Sequence, residues 1–145
     1  MLSINTIAAA IITNLKADAS LIAFLTRFGC ENEIRELDYQ GDTFLYPCVR
    51  VDVGTENPND DGVCHDTVSG LAFRVYCFSE RNSSYECSEL AKLVYDALNR
   101  YQLTGTGFST TRMVAASLTR PTRTPDRIWQ TLIPFTTIIS EVQHG

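Results

Sequence analysis

The stretch LAFRVYCFSERNSSYECSELAKLVYDALN, Leu71 to Asn99, switches from one hydrophobic period to another within thirty residues. In its first part Leu71, Phe73, Val75 and Cys77 alternate with Arg74 and Tyr76, the period of two that a half-buried strand requires. After a polar break, Cys87, Leu90, Ala91, Val94, Ala97, Leu98 and Tyr101 recur at helical spacing, with Lys92, Asp96 and Arg100 on the other side. Ser83 followed by Glu86 has the form of a capping box, which puts the helix start near the break. A strand that turns into a long amphipathic helix must pack that helix against its own sheet, and this decides the class.

Upstream, CVRVDVGTE repeats the strand pattern, with Val49, Val51 and Val53 on one face and Cys48, Arg50 and Asp52 on the other. An amphipathic helix is expected from about Ser3 to Lys16, on Ile4, Ile7, Ala8, Ile11, Ile12 and Leu15. No positive charge precedes this run, so it does not read as a signal peptide. A second helical turn is expected over Leu21 to Phe28, started by Ser20 and ended by Gly29. Glu33 to Tyr39 is a candidate strand, with the carboxylates beside Arg35 on a solvated face. After the long helix, Gly105 and Gly107 turn the chain into a strand near Arg112 to Leu118, and a final strand covers Ile128 to Glu141. The expected fold is α+β: one domain over residues 1–145, with a single mixed, mainly antiparallel sheet in the order α-β-β-β-α-β-β and helices on one face. The valine face would be buried, leaving Arg50, Asp52 and Arg74 outside.

The composition bounds what this domain does. The formal charge of −5 argues against non-specific affinity for DNA or anionic lipid. The five cysteines contain no Cys-x-x-Cys pair, which suits reduced, buried thiols. ENPNDDGVCHD, Glu56 to Asp66, is the segment richest in chemical groups. Fitted to a calcium loop it places Val68 where a bidentate Glu is needed, and Cys64 beside His65 lacks zinc-ligand spacing. Adjacent Cys64, His65 and Asp66 point alternately to opposite sides, so they do not form a catalytic series. Asp61-Gly62 between two strands reads as a hairpin turn. TGTGF follows a helix instead of opening one, so it reads as a turn and not a phosphate cradle. No catalytic residue, metal ligand or cofactor is assigned.

Three packing motifs carry a family resemblance. YPCVRVDV (Tyr46 to Val53), the Leu71 to Asn99 strand and helix, and IAAAIITNLKADASLIAFL near the N-terminus together resemble phage tail terminator (tail completion) proteins. The resemblance covers most of the chain in element order. It departs at the last strand, where Pro134 removes a ladder donor and is expected at an edge or bulge. It implies a non-enzymatic virion protein, assembled in the host cytoplasm. Such a protein forms a homo-oligomeric ring, usually of six subunits, that caps the tail tube and meets the head connector. Genomic DNA passes through the lumen without sequence-specific binding, and no membrane is involved. A head-completion protein on the portal side is the alternative within that assembly. A small ligand-binding or enzymatic domain using the face around Arg50, Asp52, Arg74 and Tyr76 is the alternative outside it.

Candidate contact residues are Arg50, Asp52 and Arg74 on the outer face, Asp60 and Asp61 at the hairpin tip, and three arginines of TRPTRTPDR. That last segment, Thr119 to Arg127, has no large apolar residue to place in a core and presents Arg120, Arg123 and Arg127 on an acidic molecule. Pro121 and Pro125 lower the entropy it would lose on a partner.

Overall fold

The computed structural model describes residues 4–39, 41, 45–58, 67–80, 83–105 and 107–141. Its elements are α1 (Ile4–Lys16), α2 (Ala19–Thr26), β1 (Ile34–Glu36), β2 (Cys48–Pro58), β3 (Thr67–Ser79), α3 (Tyr85–Leu98), β4 (Gln102–Gly105), β5 (Phe108–Arg112), β6 (Val114–Ala115), β7 (Thr122–Arg123) and β8 (Trp129–Glu141). The fold is α+β, as the two hydrophobic periods require. One sheet runs β1-β2-β3-β8-β5-β4, with β6 and β7 also paired to β8. Among the described residues only β1 is parallel to its neighbour.

The centre is the β3–β8 ladder, unbroken from Thr67↔Glu141 to Ser79↔Trp129. Thirteen residues at about 3.3 Å each make it roughly 40 Å long. Phe73 and Phe135 face each other across it with rings stacked at 5.0 Å. Val49, Val51 and Val53 of β2 continue this face, and α1 and α3 cover it with Ile7, Ile11, Leu15, Leu90, Val94 and Leu98. The helices therefore lie on one face of the sheet. No single helix among the described residues is long and apolar enough to cross a membrane; α1 and α2 meet at 76°.

Local chemistry departs from the sequence reading at several points. The second helix is capped by Asp18, whose Oδ1 accepts from the Leu21 amide at 2.9 Å, so Ser20 lies inside it. Asp and Ser are both good caps, and spacing alone does not choose between them. Gly29 ends that turn as expected, at φ +70°. At the start of α3, Ser84 holds the N-cap position without a side-chain bond. The Glu86 carboxylate accepts from the Ser79 hydroxyl at 3.0 Å, tying the helix to the end of β3.

The strand expected over 112–118 is displaced. A hairpin of β4 and β5 precedes it, turning at Gly107 (φ +79°), and only β6 falls within the expected range. Leu103 and Phe108 are the buried apolar residues of that hairpin, beside the buried Thr110; the glycines between them hid the alternation.

Pro134 is neither at an edge nor at a bulge: β8 is central and Pro134 sits opposite Arg74 in its regular ladder. The geometry explains why this is tolerated. The Pro134 carbonyl accepts from the Ala116 amide at 3.0 Å, so the position's lateral groups point away from β3. The missing N–H therefore costs the β3 ladder nothing and faces the point where β6 ends.

Candidate functional site

The outer face of the sheet, away from the helices, carries Arg50, Asp52, Arg74 and Tyr76 as neighbours, Arg50 opposite Tyr76 and Asp52 opposite Arg74, in unlike surroundings. Arg74 is exposed and stands directly across the ladder from Asp52, which is half-buried. Tyr76 stacks on Phe78 at 6.0 Å. Arg50, expected in solvent, is fully buried. The face was read correctly, but the segment after α2 folds over it. One Arg50 amine nitrogen donates to the Glu33 carbonyl (2.7 Å) and the Val49 carbonyl (3.0 Å), and the other donates to Glu33 Oε1 (3.0 Å). The Tyr39 ring lies over both Arg35 (4.0 Å) and Arg50 (5.8 Å).

Glu33 is thus a buried ion-pair partner and not part of a solvated face. A lone arginine inside a Val-Arg-Val run, with an acidic segment upstream, is the signal that points to such a pair. Its effect is mechanical: Arg50 holds the lead of β1 against β2, so the chain from 31 to 39 is a fixed edge. Outside that pair the edge is acidic. Glu36, Asp38 and Asp52, with Asn5 and Leu37, surround a cleft of about 200 Å³ between the start of α1 and the end of β1.

On the far side of β8 lies the arginine segment. It was expected to place nothing in the core, and part of it pairs with β8 as a short strand. Thr122 and Arg123 form β7 on Gln130 and Trp129. Pro121 is buried, the Thr119 and Thr131 hydroxyls meet at 3.4 Å, and the Arg123 guanidinium sits over the Trp129 ring at 5.5 Å. The turn closes through the Thr124 amide to the Ile128 carbonyl (2.8 Å) and the Arg127 amide to the Thr124 carbonyl (3.0 Å). Arg127 adopts φ +65°, a left-handed conformation that costs a non-glycine residue about 1 kcal/mol. Arg120, Arg123 and Arg127 remain exposed on this firm hairpin. The three arginines were named from their residue type; the scaffold that carries them was not expected.

The β2–β3 pairing bears out a hairpin between these strands, while Asp60 and Asp61 lie outside the described residues. A shallow groove of about 680 Å³ runs along α3, bordered by Tyr85, Tyr95 and Leu118. The described thiols are poor nucleophiles. Burial pushes Cys48 and Cys87 up to about 12 and raises Cys77 well above its ordinary value. Among the described residues no group of three or more His, Cys, Asp or Glu is placed to hold a metal ion.

No family model matches the chain, and no curated protein matches it. Among solved structures, a chain from a structure titled "Virion of native gene transfer agent (GTA) particle" is similar in fold. The TM-score is 0.69 at 17% sequence identity, covering 92% of this chain and 93% of that one.

Proposed function

We propose that this chain is a structural, non-enzymatic virion protein that assembles with copies of itself into a ring, with six subunits, at the end of a phage-type tail tube. The ring stops tube growth and offers its other side to the head connector. The observation that carries this reading is the fold likeness to a chain of a virion particle, which spans nearly the whole of both chains. The packing motifs that resemble tail terminator proteins support the same reading. So does the distribution of chemistry: acidic groups at the β1 edge and three arginines at the β7 side are open to solvent and suit contacts with other copies, while the Glu33–Arg50 ion pair is buried and structural.

The acidic balance of −5 suits a ring through which DNA slides, because a strongly cationic bore would retain it. The test is tube growth. Added to polymerising tail tube protein, the chain should hold tubes to a limited length and block further extension. Tubes that lengthen equally with and without it contradict the reading, and binding to portal-side rings with no effect on tubes favours the head-completion alternative.

A further inference from the structure

The acidic cleft and the arginine hairpin sit on opposite edges of the sheet, offset along the strands: Glu36 runs level through Val51 and Val75 with Ile133, whereas Arg123 pairs with Trp129. Ile34 of β1 pairs with Val49, Val49 with Cys77, and Cys77 with Thr131. The line then ends at Thr119, whose hydroxyl meets that of Thr131. At about 4.8 Å per strand, four steps put the two edges roughly 19 Å apart. The β1 edge presents Glu36 and Asp38; the β7 side presents Arg120, Arg123 and Arg127.

Two different, charge-complementary surfaces on opposite edges are what a head-to-tail contact needs, and such contacts close into rings when the rotation between copies closes and run into open filaments when it does not. A self-complementary dimer would instead bring each edge against its own like charges.

We propose that the β7–β8 hairpin of one copy docks on the β1 edge of the next, its arginines meeting Glu36 and Asp38 around the cleft beside α1. The inference rests on the ring reading above and names the surfaces that make the ring. Both partners are pre-shaped. Arg50 fixes the acidic edge through the Glu33 carbonyl and carboxylate, and Trp129 and the 124–128 turn fix the hairpin. Little chain ordering is therefore lost on docking. Guanidinium groups suit the task because they bind carboxylates through paired donors. An arginine kept at a left-handed position, where glycine would relax the turn, fits a residue needed for contact.

The test uses two charge-reversed full-length proteins. The first carries Arg120→Glu, Arg123→Glu and Arg127→Glu; the second carries Glu36→Lys and Asp38→Lys. Circular dichroism establishes that each is folded. Native mass spectrometry then follows assembly with tail tubes present. Each variant alone should associate on the order of a hundredfold more weakly than the unaltered chain, since every contact sets like charges together. Mixed in equal amounts they should assemble again, in strictly alternating one-to-one rings, because every contact then pairs opposite charges. If the unaltered chain forms rings and either variant does so equally well alone, this interface is wrong while the ring survives. If the unaltered chain stays monomeric beside tube ends, the ring reading falls and this inference falls with it.

Discussion

Replacing Arg50 by methionine removes the most deeply buried charged side chain and tests how the acidic edge is held. Arg50 is 0% exposed and donates to two backbone carbonyls and to Glu33 Oε1. Methionine fills similar space but donates nothing. The Glu33 carboxylate, with 4% side-chain exposure, is then left with Arg35 at 3.8 Å as a weak ionic neighbour. Breaking one half of a buried pair costs about 3–5 kcal/mol, because an uncompensated charge stays inside. For a chain of 145 residues, where each kcal/mol moves the melting point by about 2–4 °C, that is a fall of roughly 10 °C. Urea denaturation reads the same loss as a midpoint lowered by about 2 M, at a slope near 2 kcal/mol per molar. The double variant Arg50→Met/Glu33→Leu removes both charges and should recover at least about 2 kcal/mol of it. A single-variant cost below about 1 kcal/mol, or a double variant no better than the sum of its parts, would refute the claim that this pair fixes the edge.

Burial that lifts Cys48 and Cys87 to about 12 should leave both unlabelled by a thiol reagent at pH 8 until the protein unfolds; native labelling at the rate of a free thiol contradicts this. Above pH 9 the unfolded thiols ionise while the folded ones stay protonated, so stability should fall as pH rises, by up to about 1.4 kcal/mol per unit for each thiol. Pro134→Ala should change stability by less than about 1 kcal/mol, since it disturbs no bond to β3; a loss above about 2 kcal/mol in a thermal melt would mean the proline is needed for the ladder. Arg127→Gly should raise stability by about 1 kcal/mol through relief of its φ of +65° while weakening assembly, and a variant that gains stability with full assembly removes Arg127 from the contact.

Most of the sheet was legible because its strands obey a strict period. Val49 to Val53 and Leu71 to Cys77 pair in the register their alternation suggests, and the α3 stripe is buried at Cys87, Leu90, Ala91, Val94 and Leu98, while Ala97 is half-buried and Tyr101, beyond the end of the helix, is exposed. What the pattern does not carry is which segment covers which face. Alternation put Arg50 opposite the valines, correctly, but nothing in that period says that residues 30–39 lie across it. The β4–β5 hairpin escaped for a different reason: Gly105 and Gly107 supply turn freedom and no side chain, so its buried Leu103 and Phe108 stand isolated in the sequence. Pro134 was misplaced because a proline rule concerns the side of the strand its nitrogen faces, and sequence alone does not give that side. In the candidate site, residue type was informative and context was not. Three arginines in a proline-rich segment were visible; the seating of Arg123 on Trp129, across the sheet from an acidic edge, depends on strand order.

The central claim is that copies of this chain close a ring on the tube end, and end-on electron microscopy of the protein mixed with purified tail tubes tests it most directly. The account predicts one ring per tube, seated at a single end, with six-fold averaged density whose subunits match this fold. Bare tube ends, with the protein remaining as 16.2 kDa monomers in the background at high concentration, would contradict it.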